Sequence, residues 1–266
     1  MNSKDFSMPS PHTAAGAAHT KRAVILAGGK GERLGPYTTV LPKPLLPIGD
    51  RAILEVVVRQ LQSYGFSELT FAVGYLAHLI RAVFNDGSDL AVSINYHQES
   101  EPRGTAGALA TIGRMDDSFL VMNGDVLTSL DYNVLFDVHK ASGNALTIAS
   151  HPRLVKADYG VLHTSESEAD TAPVFAYEEK PETPYLVSTG VYVLEPHVAD
   201  YVPRDQYFDM PDVIKTLIDN GERVGSYLFD GFWLDIGRHD DYERAILEFD
   251  QIKPQLLCNG AGSVAL

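Results

Sequence analysis

The stretch RAVILAGGKGERLGPYTTVLPKP, Arg22 to Pro44, opens on a short apolar, partly β-branched run that ends in Gly-Gly. That is the pattern of a buried strand. Gly28, Gly29 and Gly31 let the backbone turn tightly and bring amide groups close to phosphate oxygens. A Walker loop needs Gly-Lys followed by Ser or Thr at a helix start, and a dinucleotide fingerprint leads directly into a helix. Neither fits, because Pro36, Pro42 and Pro44 forbid a regular helix. What remains is a long phosphate-cradling loop that carries Arg33 and Lys43.

Outward from this loop the pattern alternates. Ala52 to Tyr64 places Ile53, Leu54, Val57, Leu61 and Tyr64 on one helical face. Leu69 to Tyr75 reads as a strand, Leu76 to Phe84 as a helix and Leu90 to Tyr96 as a third strand. Gly107 to Met115 is helical in composition, and Ser118 to Asp125 is a strand running into an acidic tip. Strands alternating with helices predict a parallel, doubly wound α/β sheet, with ligands at the carboxyl ends of its strands. The glycine loop and Asp125 both fall there. Beyond Asp131, closely spaced strands over 144–151, 159–164, 173–180 and 186–194 predict a mixed or antiparallel extension covering one side of the cleft. Helices follow over 211–220 and 240–249, flanking a short strand over 224–229. His239, Asp240 and Asp241 read as the start of the last helix, where acids suit the dipole. His78 reads as a packing or surface residue, and Trp233 as a neighbour that holds Asp235.

The chain has 266 residues, a formal charge of -14 and one cysteine, Cys258. The acidic balance argues against nucleic acid as a partner, while leaving room for an anionic ligand in one locally basic cleft. No apolar run approaches the ~20 residues of a membrane span. The first twenty residues lack the apolar stretch of a signal peptide. The sequence thus predicts a cytoplasmic protein with a loose extension over 1–20, one two-lobed domain over 21–254 and a loose tail over 255–266.

LAGGKGERLGPYTTVLPKPLLPI, Leu26 to Ile48, resembles the signature of the sugar-phosphate nucleotidyltransferases. The resemblance continues in order through EPRGTAGAL, NGDV, YGV, EEKP, STGVYVL and FWLDIG, and so covers roughly Lys21 to Glu248. It implies a Rossmann-like (GT-A-like) α/β fold with a β-rich sugar-binding lobe. It also implies Mg²⁺-dependent joining of an NTP to a sugar 1-phosphate with release of pyrophosphate. By resemblance, Arg33 and Lys43 serve the NTP phosphates, and Leu26, Ala27, Gly28, Gly29, Gly31, Glu99, Gly104, Thr105 and Gly124 line the nucleotide site. Gly160, Glu179, Lys180 and Ser188 face the sugar phosphate, and Asp125 and Asp235 hold the metal. Family members are often dimers or tetramers, so a homo-oligomer is a possible assembly. The longer relatives' C-terminal β-helix has no room after Asp250.

The chemistry agrees with that implication. A sugar phosphate has its second pKa near ~6, so its attacking oxygen is largely ionised at neutral pH and needs no general base. Catalysis then rests on positioning and charge stabilisation. Glu99 lies five residues before Gly104, where similar thymidylyl members carry glutamine. A carboxylate accepts both donors of guanine's N1–H and N2–H₂ edge, whereas uracil and thymine offer a single N3–H between carbonyls. This favours GTP, with UTP, dTTP and CTP as alternatives. Ser188-Thr189-Gly190 stands where many hexose-phosphate members have Asn-Ala-Gly, which leaves heptose or cyclitol phosphates open as acceptors. A catalytically silent nucleotide-sugar sensor is the rival reading. It should lack one of Arg33, Lys43, Asp125, Lys180 and Asp235, and all five are present.

Overall fold

The computed structural model describes residues 20–98, 101, 103–113, 115–165 and 171–257. Its strands are β1 (Lys21–Ala27), β2 (Pro47–Ile48), β3 (Arg51–Ala52), β4 (Phe66–Val73), β5 (Ser93–Gln98), β6 (Phe119–Asn123), β7 (Val126–Thr128), β8 (Leu146–Lys156), β9 (Val161–Thr164), β10 (Val174–Glu178), β11 (Glu182–Leu194), β12 (Val224–Leu228) and β13 (Trp233–Asp235). Its α-helices are α1 (Ile53–Ser63), α2 (Ala77–Phe84), α3 (Tyr132–Ser142), α4 (Met210–Asp219) and α5 (His239–Leu257).

The central sheet runs β12-β8-β11-β6-β1-β4-β5. All of its neighbours are parallel except β11, which is antiparallel to both β8 and β6. From β1 the chain passes to β4 and β5 on one side, then returns to β6 on the other. That reversal makes the carboxyl ends of β1 and β6 the crevice of the sheet. The expected mixed, mainly parallel α/β architecture is therefore present; of the expected extension, β8 and β11 join this sheet, whereas β9 and β10 pair with each other in a separate two-stranded sheet.

Strand β1 shows why the core has two faces. Ala23, Ile25 and Ala27 point to the side of α1, α2 and α3, while Val24 packs with Val121, Leu146, Leu194 and the apolar side of α4. Period-2 alternation buries both faces, so the strand reads as one continuous apolar run. On α1, Ile53, Leu54, Val57, Leu61 and Tyr64 are all buried as their spacing predicts. Helix α5 adds a third cluster, packing Tyr242, Ala245, Phe249 and Ile252 against Ile53, Val56, Leu127 and Leu234.

Several boundaries differ from the sequence expectation. The third strand starts at Ser93 and not at Leu90, because Gly87 (φ 84°) and Ala91 (φ 55°) enclose a 3-10 turn over Ser88–Leu90. The segment from Gly107 forms only a 3-10 turn, Gly107–Ala110, and Gly113 leaves it at φ 93°. Helix α3 was not anticipated, although its signals are local. Asp131 caps it through Asn133 and Val134, Gly143 ends it at φ 61°, and Tyr132, Leu135, Phe136 and His139 share its buried face. Helix α5 continues to Leu257, past the expected helix end at Phe249.

Gln60 on α1 ties this core to the segment that carries Asp125. Its Nε2 donates to Thr128 O (2.6 Å) and its Oε1 accepts from the Tyr132 hydroxyl (3.2 Å). Gln60→Leu takes this donor from Thr128 O and leaves the Tyr132 hydroxyl with only the weak Met122 sulfur acceptor. The expected loss is about 2 kcal/mol, measured as a lowered urea midpoint with an unchanged m-value.

Candidate active site

The three prolines act as expected. The loop after β1 forms short 3-10 turns at Glu32–Leu34, Tyr37–Thr39 and Lys43–Leu45 and no α-helix. Gly31 takes φ 65°, and a Cβ there would sit 3.0 Å from Thr38 and 3.1 Å from Lys43. Thr38 Oγ1 closes this turn by donating to Gly31 O at 2.9 Å. Gly74 lies so close to the loop that a Cβ would meet Gly28 O at 2.8 Å. Among the described residues, none accepts a hydrogen bond from the amides of Gly29, Lys30 or Gly31. Such free amides in a glycine turn suit an anion.

This loop forms one wall of a cleft of about 810 Å³ at the carboxyl ends of β1, β4, β5 and β6. Leu26, Ala27, Gly28, Gly29, Gly31, Arg33, Lys43, Gly104, Thr105 and Asp125 all line it. Gly124, between the lining residues Asn123 and Asp125, donates its amide to Leu26 O at 2.9 Å. Glu99 lies outside the described residues.

Asp125 and Asp235 meet through strand pairing. β13 lies antiparallel to β7 with Asp235 opposite Val126, and the Ile236 amide donates to Asp125 O at 3.2 Å. Lys43 Nζ pairs with Asp125 Oδ2, both side chains being largely buried. A side chain on Gly237 would lie 3.5 Å from the Asp235 carboxylate and 3.7 Å from the Arg33 guanidinium. Two carboxylates and two cations therefore face one another. Burial, and next the Asp125 charge, push the Asp235 carboxyl above its ordinary range, while Lys43 and Arg33 pull it down. Among the described residues, Asp125 Oδ1 is buried without a hydrogen-bond partner. An orphaned carboxylate oxygen beside a second acid is the donor set a divalent cation takes together with phosphate oxygens. Among the described residues no group of three or more His, Cys, Asp or Glu offers an all-protein metal cage. His239, Asp240 and Asp241 open α5, where His239 Nε2 bonds Gly35 O at 2.8 Å.

The residues expected to face the sugar lie apart from that cleft, on the lobe built from the outer ends of β8 and β11 with the β9–β10 hairpin. Glu179, Lys180 and Ser188 are exposed, and none of them lines the 810 Å³ cavity. Lys180 takes φ 48°, and Tyr177 bonds Glu179 while packing over Gly160. Ser188 Oγ donates to the Tyr192 hydroxyl at 3.0 Å. One feature joins lobe and cleft. Gly190 (φ 78°) comes so near Asn123 that a Cβ would stand 2.6 Å from its amide nitrogen, and Trp233 Nε1 donates to Thr189 O at 3.0 Å. Trp233 thus braces the lobe two residues before Asp235. His78 is exposed on α2.

Tyr75, Gln98, Asn123, Tyr207 and Asp209 also line the cleft, and the motif reading missed them. Asp209 was open to discovery as a helix cap, since it precedes Met210-Pro211-Asp212. Burial raises its carboxyl, but bonds from Thr105 and Tyr207 outweigh that and leave its pKa below the ordinary value.

Known proteins share this architecture. The chain is 34% identical over 245 residues to a UTP–glucose-1-phosphate uridylyltransferase of Synechocystis sp., covering 85% of this chain and 62% of that protein. It is 32% identical over 238 residues to a mannose-1-phosphate guanylyltransferase of Mycobacterium tuberculosis, covering 86% and 64%. The chain thus spans a little under two thirds of the length of these relatives. The crystal structure of HddC from Yersinia pseudotuberculosis superposes with a TM-score of 0.68 at 24% identity, covering 86% of this chain and 100% of that one, which shows a common fold. Residues 22–251 match the family model described as "Nucleotidyl transferase", and the chain belongs to the sugar-phosphate nucleotidyltransferase family.

Proposed function

We propose that the chain transfers a nucleotidyl group from an NTP to a sugar 1-phosphate. The observation that carries this reading is the β7–β13 pairing, which sets Asp125 and Asp235 beside Lys43 and Arg33 at the foot of the glycine loop. An ionised oxygen of the sugar phosphate attacks the α-phosphorus in line, and the bond from that phosphorus to the pyrophosphate oxygen breaks. No proton has to be removed from the nucleophile. The Gly29 to Gly31 amides with Arg33 and Lys43 stabilise the charge that moves onto the departing pyrophosphate. Asp125 and Asp235 would hold Mg²⁺, which when bound would supply counter-charge to the phosphates. Lys180, Glu179, Gly160 and Ser188 receive the acceptor on the exposed lobe. The arrangement calls for neither nucleic acid nor a membrane surface, and no helix among the described residues is long and apolar enough to cross a membrane.

GTP is the proposed donor, on the acceptor-only chemistry of Glu99 against the guanine edge. Pyrophosphate release measured for four NTPs against hexose, heptose and cyclitol 1-phosphates should give the highest kcat/KM with GTP. A preference for UTP or dTTP overturns the assignment of the base and leaves the transfer reading standing. No release from any pair overturns the transfer reading in favour of a nucleotide-sugar sensor.

A further inference from the structure

Residues 103–106 and 207–210, about a hundred positions apart in the chain, are stitched together along one rim of the cleft. The Phe208 amide donates to Arg103 O (2.9 Å) and the Ala106 amide to Phe208 O (3.0 Å). Between these two bonds, Asp209 Oδ1 accepts from the Thr105 amide (2.7 Å) and the Thr105 hydroxyl (3.0 Å). Thr105 Oγ1 in turn accepts from the Met210 amide at 2.9 Å. The Tyr207 hydroxyl adds a further bond to Asp209. Gly104 takes φ 84°, and a Cβ there would meet Phe208 O at 2.5 Å, so only glycine allows this approach.

Gly104, Thr105, Tyr207 and Asp209 all line the cleft. Gly104 and Thr105 belong to neither a strand nor a helix, so their shape depends on what holds them. Asp209 is anchored on its other side, because it opens α4 in a reciprocal cap with Asp212, whose Oδ2 accepts from the Asp209 amide at 3.1 Å. One carboxylate therefore couples a helix that packs on the sheet to a turn that faces the ligand.

We propose that Asp209 is a positioning residue for the nucleotide, holding the Gly104–Thr105 rim through Thr105 so that the NTP meets a preformed wall. This rests on the reading of the chain as an NTP-using transferase. A rim already ordered spares the ligand the entropy of ordering it, so the latch acts on nucleotide affinity. Among the described residues its hydrogen bonds stay within 103–106 and 207–212, so the sugar phosphate and the chemical step should be largely insensitive to it.

The test combines NTP binding by calorimetry with steady-state pyrophosphate release on the full chain. Asp209→Ala and Thr105→Val should each raise Kd and KM for the NTP about tenfold, with kcat and the KM for sugar 1-phosphate within about twofold. Thr105→Ser keeps the hydroxyl and should restore near-wild-type NTP affinity. Asp212→Ala removes the reciprocal cap without touching Thr105. It should lower the melting temperature by about 2–4 °C, as loss of a helix cap does, and leave the NTP KM unchanged. If Asp209→Ala behaves like Asp212→Ala, lowering stability at constant NTP KM, then Asp209 is a helix cap only and the proposal fails alone. If the wild-type chain binds no NTP, the proposed function and the latch fail together.

Discussion

Asp125→Asn should lower pyrophosphate release by about 10³-fold at saturating Mg²⁺ and NTP, the scale of losing one electrostatic element of a transition state. The residue follows the buried strand β6 and is held on the backbone side by the Ile236 amide. Its Oδ1 has no hydrogen-bond partner among the described residues, and its Oδ2 faces Lys43. An amide has the same shape but a single acceptor oxygen and no charge, and its NH₂ would point a donor at Lys43 or at the cation. The fold should tolerate the change, so a second readout is available. Mg²⁺ with NTP should raise the melting temperature of the wild-type chain by mass action, and should raise that of the variant much less. Near-wild-type turnover at saturating Mg²⁺ would remove Asp125 from the proposed metal site.

Lys43→Met should lower kcat/KM for the NTP by about 10²- to 10³-fold and also destabilise the chain by about 3 kcal/mol. The two effects share one cause. Lys43 is 9% exposed, lies between Pro42 and Pro44, and runs beneath the Gly31 turn. Methionine replaces the stem and keeps that packing, but the ammonium is lost. Asp125 then remains largely buried next to Asp235 with Arg33 as the nearby cation, an arrangement that removes the partner and leaves the charge. Urea unfolding measures the stability, and initial rates at varied NTP measure the transfer. A loss of stability at unchanged kcat/KM would make Lys43 a structural partner of Asp125 and nothing more.

Much of this site is legible in the chain because it rests on local constraints. Three prolines within nine residues, at 36, 42 and 44, leave no room for an uninterrupted helix, and the loop after β1 does contain only short turns. The buried face of α1 follows from spacing alone. The order of motifs from Leu26 to Gly237 points to the family, and the family match covers that range. Glu99, on which the choice of base depends, lies outside the described residues, so that choice rests on chemistry and awaits the NTP panel.

The sequence by itself determined the glycine loop, its two cations, the alternation that builds the sheet and the acidic tip at Asp125. Each is a property of a few neighbouring residues, set by backbone sterics or by which side chains share a face. Only the tertiary structure decided what stands opposite them. Pairing of β13 with β7 brings Asp235 to Asp125, and the bonds from Thr105 bring Asp209 to the Gly104–Thr105 rim of the cleft. In the sequence, Asp209 shows only the local signature of a helix cap, a role it also fills. Non-local pairing is fixed by sheet order and the packing of whole elements, and neither leaves a mark in the periodicity of a single segment.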